Sequence, residues 1–461
     1  MIHPPQDPKQ PVPAPVLADP YPGWKNRAMY LAYDLLWLFT ALVLAPWWIF
    51  HCLLRPSFRR MVAERLTLGL PRLPAPRPGR PRVLIHGVSV GEVMASRALV
   101  ERLKHTCEVV VSASTNTGME VARRSFPDIT IVRYPLDPRL VIRRFLRRVG
   151  PQYVILMELE VWPNFLKWSN REGIPIGIVN GRITEHSLRN YLRFHESLPQ
   201  FARVTLFAAQ DEAYAERFVT LLGGDERVVI TGNLKADGMR VGPPEPDAGW
   251  RELEGWVAAA PGQPVLLAGS THGGEEAQVY RAFHQALPAA RIVIVPRHPE
   301  RGEEVRQALE GLGVRAQRLT TLRQGAETLD PTRPLIADTV GELDRLYSMA
   351  TIVFVGGSLV PHGGQNMLEP AAAGKPVLYG PHTGNFRQET ALLEEAGAAR
   401  RVADAEELAR VLATWHQDPA GWARMGQVGM GVVEKSRGAT ERTTAALQRR
   451  LGLPLVVENA S

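Results

Sequence analysis

The sequence predicts an α/β protein with two doubly wound, Rossmann-like halves. Short apolar runs rich in Val, Ile and Leu alternate with intervals that are long enough for crossover helices, as in a parallel sheet covered on both faces. The segment Asp237–Asp247, with three prolines and two glycines, interrupts this alternation and is typical of an interdomain linker. We therefore expect the two halves to face each other across a cleft, at the carboxyl ends of their strands.

Strands are predicted on both sides of the linker. In the first half they are Arg82–Val88, Val109–Ala113, Ile129–Arg133, Tyr153–Met157, Ile174–Val179, Val204–Ala208 and Val228–Thr231. In the second half they are Val265–Gly269, Arg291–Pro296, Pro334–Asp338, Thr351–Val355 and Lys375–Tyr379.

This pattern divides the chain into segments with different expected structures. They are a Pro-rich extension expected to be disordered (1–26), an anchor helix (27–54), the two Rossmann-like domains (55–237 and 250–430), the linker between them (238–249), and a C-terminal helix and tail (431–461).

An apolar segment near the N-terminus predicts membrane attachment. Leu35–Phe50 contains no charged side chain and has aromatic residues near both ends, as at a membrane interface. A spanning helix needs about 20 residues, a length that Ala28–Leu54 reaches by including Asp34. We expect a single-pass anchor, and a monotopic hairpin bent at Pro46 stays open as the alternative.

The charge distribution indicates an anionic partner for the first half. Residues 55–240 carry 29 Lys and Arg against 18 Asp and Glu, which suits a membrane surface or an anionic lipid. Nucleic acid is not expected, because zinc-finger, helix-turn-helix and aromatic RNA-binding signatures are missing. Arginines follow the apolar segment, so the positive-inside rule places the main body on the cytoplasmic side of the membrane.

A Gly-rich stretch, Gly356–Phe386, is the strongest candidate for a ligand pocket. It follows a predicted buried strand and contains Asn366 and Glu369 at a predicted helix start, Asn366–Ala373. Glycines allow backbone N–H groups to approach a ligand closely, and a carboxylate there can accept hydrogen bonds from sugar hydroxyls. This pattern indicates a nucleotide-sugar pocket. The alternative is a Gly-rich loop and a capped helix without a ligand.

The turn Ser89–Glu92 follows the first predicted strand and has two interpretations. As S-x-x-E before a helix it is a capping box, with Glu92 bonded to the Ser89 N–H. A carboxylate at that strand end could instead deprotonate an acceptor hydroxyl. The turn Thr339–Glu342 repeats the pattern in the second half. The residues alone leave both interpretations open.

Other polar side chains also follow predicted strands. Arg297 could bind a phosphate or carboxylate group through a bidentate contact, and Lys235 could supply a second positive charge. Glu158 and Glu160 stand at another strand end, where a buried acid would need a partner. For each of these residues, a solvated surface position is the alternative.

Many of these segments resemble motifs of bacterial 3-deoxy-D-manno-octulosonic acid (Kdo) transferases, in the order in which that family has them. The segments are HGVSVGE, STNTG, MELEVWPN, NGRITEHS, GNLKAD, GSTHGGEE, VPRHPER, DTVGEL, FVGGSLV, GGQNMLEP and GPHTGNF. The resemblance implies a GT-B fold, with the acceptor bound by the first domain and the CMP-sugar by the second. It also implies transfer of Kdo from CMP-Kdo to the lipid A precursor lipid IVA, at the inner membrane and with inversion.

The resemblance also implies roles for individual residues. Glu92 is similar to the family's proton acceptor, and Glu158 and Lys235 to its transition-state stabilisers. The implied CMP-Kdo contacts are Pro296, Arg297, Val340, Gly341, Glu342, Asn366, Met367, Leu368 and Glu369. No cofactor or metal is implied, and the cysteines, Cys52 and Cys107, lack metal-ligand spacing.

The chain departs from the family pattern at a few positions. Gln365 stands where a His is usual, which questions any role for an imidazole there, and Val340 replaces a Met. Two other functions compete with Kdo transfer: a nucleotide-sugar epimerase, which would be soluble, and a catalytically inactive sugar-nucleotide binding protein. The anchor argues against the first, and intact Glu92, Glu158 and Lys235 argue against the second.

Overall fold

The computed structural model describes residues 23–194 and 200–454. The chain forms two compact units: unit 1 runs to Gly238 and resumes at Arg437, and unit 2 is Met239–Ser436. Each unit contains one seven-stranded sheet in which every pair of neighbouring strands is parallel. The predicted α/β architecture with two Rossmann-like halves is therefore confirmed.

Unit 1 has the strand order β3-β2-β1-β4-β5-β6-β7. Its strands are β1 (Arg82–Gly87), β2 (Glu108–Ala113), β3 (Thr130–Arg133), β4 (Tyr153–Met157), β5 (Ile176–Gly181), β6 (Leu206–Ala209) and β7 (Val228–Ile230). Its helices are α1 (Gly23–Leu54), α2 (Pro56–Arg65), α3 (Val90–Ala95), α4 (Arg97–Leu103), α5 (Asn116–Ser125), α6 (Arg139–Val149), α7 (Pro163–Arg171), α8 (Glu185–Phe194), α9 (Glu212–Leu222) and α10 (Leu234–Asp237). Helix α20 (Ala439–Leu451) also belongs to it.

Unit 2 has the strand order β10-β11-β9-β8-β12-β13-β14. Its strands are β8 (Val265–Thr271), β9 (Arg291–Pro296), β10 (Gln317–Arg318), β11 (Leu335–Ile336), β12 (Ile352–Val355), β13 (Val377–Tyr379) and β14 (Ala399–Arg401). Its helices are α11 (Ala248–Val257), α12 (Glu276–Ala286), α13 (Gly302–Glu310), α14 (Leu319–Arg323), α15 (Leu343–Met349), α16 (Leu368–Ala372), α17 (Arg387–Glu395), α18 (Ala405–Ala413) and α19 (Pro419–Ser436).

Each sheet is buried on both faces. In β1, Val83 and Ile85 belong to one apolar cluster and Leu84 to another, and all three are fully buried. Helix α20 covers part of the unit 1 sheet, with Leu447 packed where a Cβ at Gly177 would lie only 3.2 Å away. Burial on both faces explains why the strands read as continuous apolar runs in the sequence.

The strand predictions differ from the structure mainly at the sheet edges. All twelve predicted strands overlap observed ones, but the edge strands β10 and β14 were not predicted. The strand predicted at Pro334–Asp338 is shorter, because only Leu335–Ile336 pair with neighbours. Short polar edge strands have few residues to show an apolar pattern.

Helix α1 begins at Gly23, before the predicted start of the anchor at residue 27. Residues 1–22, most of the predicted N-terminal extension, lie outside the described residues. Within α1, Arg27–Leu54 is long and apolar enough to cross a membrane, judged by its length and composition. It is the single helix of that kind in the described part of the chain.

Candidate active site

In unit 1, two adjacent strands bring candidate residues to one edge of the sheet. β1 and β4 are neighbours at the point where the strand order reverses, and ligands of doubly wound sheets bind outside the carboxyl ends at such a point. Glu92 follows β1 and Glu158 follows β4. The sheet therefore places both carboxylates at its ligand-binding edge.

The turn after β1 holds Glu92 in a modified capping box. Ser89 is the N-cap of α3, and its hydroxyl oxygen accepts from the Glu92 N–H at 3.4 Å. Glu92 in turn accepts from the Val88 N–H at 2.8 Å and from the Ser89 hydroxyl at 3.0 Å. The predicted bond to the Ser89 N–H is thus wrong, since the donor is one residue earlier. Gly87 permits this close turn, because a Cβ there would lie 3.1 Å from the Glu92 Cβ.

Glu92 is poised to exchange a proton near neutral pH. Burial raises the pKa of its carboxyl group to about 7, and the charges of Glu158 and Glu160 add to that rise, while the hydrogen bond from Val88 lowers the pKa. No cation forms an ion pair with Glu92 in the described part of the chain. A carboxyl group in this state can accept a proton from a substrate hydroxyl.

Glu158, by contrast, is held by two cations. Its carboxylate accepts from Arg182 Nε at 2.6 Å and lies 4.0 Å from Lys235 Nζ. Its backbone φ of 58° is in the left-handed region, which turns the chain sharply away from β4. The buried acid therefore has partners, as the sequence required. Arg182 was not singled out from the sequence, although it follows β5 in the motif NGRITEHS.

Lys235 is positioned by asparagine side chains. Asn233 caps the short helix α10 through the Lys235 N–H at 3.0 Å, and Asn180 Oδ1 accepts from the Leu234 N–H at 3.0 Å. Asn180 itself has φ 53°, at an irregularity of β5. Unit 1 thus brings Glu92, Glu158 and Lys235 together, with Arg182 as a second cation.

In unit 2, the corresponding edge is formed by β8 and β12. Glu275, after β8, is fully buried and accepts from the backbone N–H groups of His272, Gly357 and Leu359. Burial raises the pKa of Glu275, and these three hydrogen bonds lower it. The carboxyl group therefore ties the loop after β8 to the Gly-rich loop after β12. Sequence reasoning missed this role, for which the motif GSTHGGEE was the available signal.

The segment predicted as the start of a helix is an asparagine-fixed turn. Asn366 accepts from the Leu368 N–H at 3.2 Å and donates to Glu369 at 3.1 Å. Helix α16 begins only at Leu368 and is five residues long, so the predicted helix over Asn366–Ala373 is too long. The side chains of Met367 and Leu368 are buried in the core, and the Leu368 N–H is bonded to Asn366.

Glu369 and Arg297 influence each other at this edge. Burial raises the pKa of Glu369 to about 7, with a contribution from Asp344, while Asn366 and Arg297 lower it. Arg297 follows Pro296, the last residue of β9, and its side chain is exposed. Its guanidinium group makes no hydrogen bond or ion pair within residues 23–194 and 200–454. The exposed guanidinium group of Arg297 suits an anionic group of a ligand, and the carboxyl group of Glu369 suits a hydroxyl group.

In unit 2, the turn Thr339–Glu342 has the sequence pattern of a capping box but does not form one. Helix α15 begins after Glu342, which makes no capping hydrogen bond. Its carboxylate instead accepts from Arg323 at 2.7 Å and from the Thr339 hydroxyl. Val340 is 71% exposed, and Gly341 has φ 84°. The carboxylate of Glu342 therefore binds Arg323 and Thr339, and it does not bind the turn Asn366–Glu369.

Gln365, at the position where a His is usual, contacts an imidazole. Its amide Nε2 lies 3.0 Å from His272 Nε2, and the His272 ring stacks on His362 with centroids 4.3 Å apart. Burial lowers the pKa of His272 to about 4, as do the neighbouring His362, His298 and arginine charges. His272 is therefore a neutral hydrogen-bonding group. No three His, Cys, Asp or Glu residues among those described are arranged to hold a metal ion.

Comparison with known proteins gives a consistent result. A family model described as 3-Deoxy-D-manno-octulosonic-acid transferase (kdotransferase) matches residues 60–238. The crystal structure of UDP-GlcNAc 2-epimerase from Neisseria meningitidis bound to UDP-GlcNAc matches with a TM-score of 0.53 and 14% identity, covering 80% of this chain and 100% of that one. At that identity the epimerase shares the fold alone, in agreement with the predicted GT-B class.

Two relatives match along most of the chain. The 3-deoxy-D-manno-octulosonic acid transferase of Haemophilus influenzae is 33% identical over 404 residues, which cover 84% of this chain and 90% of that protein. The enzyme of the same name from Bordetella pertussis is 33% identical over 395 residues, which cover 82% and 89%. The chain therefore belongs to the 3-deoxy-D-manno-octulosonic acid (Kdo) transferase family of glycosyltransferases.

Proposed function

We propose that the chain transfers Kdo from CMP-Kdo to a hydroxyl group of the lipid A precursor lipid IVA, with inversion at the anomeric carbon. Kdo transfer in lipopolysaccharide biosynthesis is the reaction of the family to which it belongs. The observation that carries the proposal is the state of Glu92, a half-buried carboxyl group with a pKa near 7 and no cationic partner among the described residues.

Glu92 is the proton acceptor in this proposal. Its carboxylate takes the proton of the acceptor hydroxyl as the hydroxyl oxygen attacks the anomeric carbon of Kdo. The bond between that carbon and the phosphate oxygen breaks, and its electron pair leaves with CMP. Attack and departure on opposite faces of the carbon invert its configuration. A pKa near the working pH suits a group that must bind and release a proton in each cycle.

Lys235 and Glu158 stabilise the transition state. Lys235 Nζ lies 4.0 Å from Glu158, which also binds Arg182. The ion pairs fix the ammonium and guanidinium groups before substrate binds, and preorganised charges stabilise developing negative charge without reorganisation. Fixed cations supply this stabilisation through the chain's own residues, and no cofactor is proposed.

Unit 2 supplies the proposed CMP-Kdo contacts. Arg297 offers its guanidinium to the phosphate or the sugar carboxylate, and Glu369 accepts hydrogen bonds from ribose hydroxyls. The remaining proposed contacts are Pro296, Val340, Gly341, Glu342, Asn366, Met367 and Leu368.

The acceptor and the membrane are proposed to lie on the side of unit 1. Lipid IVA carries two phosphate groups, which suit the excess of Lys and Arg over Asp and Glu in residues 55–240. Helix α1 would attach the chain to the inner membrane, with both units on the cytoplasmic side, because arginines follow the apolar segment. Nucleic acid is not a proposed partner.

A transfer assay tests this function. The full chain in detergent is incubated with labelled CMP-Kdo and lipid IVA, and lipid products are separated and weighed by mass spectrometry. We expect a product heavier than lipid IVA by one or more Kdo residues, formed only when both substrates are present. Label that never enters the lipid would contradict the proposal, and an altered nucleotide sugar formed without lipid would favour an epimerase.

A further inference from the structure

The beginning of the apolar helix α1 is bound to unit 1 by polar contacts. Asp34 accepts from Asn164 Nδ2 at 2.8 Å. The Tyr30 hydroxyl accepts from Arg203 at 2.9 Å, and the Lys167 ammonium lies 3.5 Å from the Tyr30 ring centroid. Tyr30 is 3% exposed. This end of α1 is therefore part of the folded unit rather than of a flexible tether.

At its other end, α1 turns back. Arg55 has an extended backbone conformation, and α2 starts at Pro56 immediately after it. The Phe58 ring then packs against Trp47 and His51, with centroid distances of 5.5 and 5.7 Å. Trp47 lies two turns before the end of α1. Helix α2 is therefore folded back onto the last turns of α1.

The end of α2 is bound to the segment between β3 and α6. Glu64 accepts from Arg133 Nε at 2.7 Å, and the Arg65 carbonyl accepts from the Leu136 N–H at 2.9 Å. Both hydrogen bonds attach α2 to the rest of unit 1.

The same segment also holds the beginning of α1. Asn164, which binds Asp34, donates through the same amide nitrogen to the Asp137 carbonyl at 2.8 Å. Asp137 is next to the residue that binds Arg65. The beginning of α1 and the end of α2 are therefore both held near residues 133–137.

Between these two ends, apolar side chains of α1 are exposed along one broad face of the helix, and the side chains of the opposite face are partly covered. Phe39, Leu42 and Leu53 are each at least 65% exposed. Exposed apolar surface of this extent marks an interaction site. A lipid surface fits it, because the exposed Arg55, Arg59 and Arg60 beside the apolar face can bind anionic head groups.

We infer that α1 and α2 form a hairpin that binds the membrane interface on the side of unit 1 and does not cross the bilayer. A spanning helix would put its ends on opposite faces, about 30 Å apart. On the far face, the beginning of α1 would lose the bonds that Tyr30 and Asp34 make with unit 1. Arg55, at the turn of the hairpin, and Arg59 and Arg60 are exposed and would be unfavourable inside the hydrocarbon, so the hairpin lies at the interface. The inference replaces the expected single-pass anchor and rests on the membrane attachment proposed above.

Cysteine labelling tests the hairpin in the full chain. Cys52 is replaced by Ser, and Cys107 is 1% exposed, so a single new cysteine reports its own position. Ala28→Cys reports the beginning of α1, at an exposed position. Leu140→Cys, at a 71% exposed position on α6, is the matched control for the side of unit 1. Both are labelled with a membrane-impermeant maleimide in inverted membrane vesicles and in spheroplasts.

We expect the two reporters to label together, from the outside of inverted vesicles and in neither case from the outside of spheroplasts. Labelling of Ala28→Cys on the side opposite to Leu140→Cys, or its protection on both sides, would overturn the hairpin. Flotation with vesicles of anionic phospholipid separates the two proposals. A chain that does not float contradicts membrane attachment and the hairpin together, whereas transfer in detergent is unaffected by either result.

Discussion

The turns Ser89–Glu92 and Thr339–Glu342 share one sequence pattern but end in carboxyl groups with different surroundings. Glu92 is bonded to a backbone N–H and a hydroxyl, and its neighbouring charges are the carboxylates of Glu158 and Glu160. Glu342 is paired with Arg323 at 2.7 Å. The comparison shows that the partner, rather than the motif, decides what such a carboxyl group can do.

The arginine beside Glu342 explains why the two carboxyl groups differ chemically. A carboxylate beside a guanidinium group is stabilised as the anion and is a poor proton acceptor near neutral pH. A half-buried carboxyl group beside other carboxylates favours the proton. The contrast between the turns therefore supports the proposal of proton transfer for the unit 1 turn and of a structural or binding role for the unit 2 turn.

The largest predicted effect belongs to Glu92→Gln. Gln also serves in a capping box, so the free energy of unfolding should hardly change, but an amide cannot accept the proton. We expect kcat to fall about 10²–10⁴-fold, with KM for CMP-Kdo nearly unchanged. Steady-state kinetics and urea denaturation measure the two quantities. Near-normal turnover would reduce Glu92 to a capping residue and remove the contrast with Glu342.

Glu369→Ala should act on donor binding instead. The carboxyl group is proposed to accept ribose hydroxyls, and a hydrogen bond to a charged group contributes about 1.5–3 kcal/mol. KM for CMP-Kdo should therefore rise about 10–100-fold, with KM for the lipid unchanged. Calorimetry with CMP measures the affinity directly, and Glu369→Gln, which keeps an acceptor oxygen, is the matched control. Equal CMP affinity for Glu369→Ala and the native chain would exclude Glu369 from the nucleotide site.

The sequence predicted the interior of each sheet because interior strands are apolar throughout. It did not predict β10 or β14, which have two and three residues and lie at the edges. The position of Glu92 at a strand end was also predictable, since β1 is one unbroken apolar run. The chemical role of the turn was not predictable, because the nearby cations Arg182 and Lys235 pair with Glu158, and no described cation pairs with Glu92.

Contacts between distant segments explain the other omissions. Arg182 binds Glu158 across 24 positions of sequence, and Gln365 contacts His272 across 93. Neither pairing produces a local pattern. Of the two interpretations left open for Glu342, the capping box is not observed, since Arg323 binds that carboxylate from α14 and the helix begins one residue after it.

A smaller effect is expected from pH at saturating CMP-Kdo. Burial raises the pKa of Glu92 to about 7, and only the deprotonated form accepts the substrate proton. The rate should therefore rise with pH and level off above 7, with about a tenth of the maximal kcat left at pH 6. Saturating donor is needed because the pKa of Glu369 is also raised to about 7. The residual activity of Glu92→Gln should lack this limb, and an unchanged profile in that variant would assign the titration to another group.

The smallest effect is predicted for Glu342→Gln, the same chemical change made in the unit 2 turn. The variant loses the ion pair with Arg323, whose two side chains are 17–27% exposed, and partly exposed pairs contribute about 1 kcal/mol or less. We expect unit 2 to melt about 2–4 °C lower, with kcat within a few-fold of the native value and KM for CMP-Kdo modestly raised. Arg323→Gln and the double variant complete a cycle that isolates the pair. A loss of kcat as large as that of Glu92→Gln would mean that both turns take part in the chemistry, and that the arginine does not distinguish them.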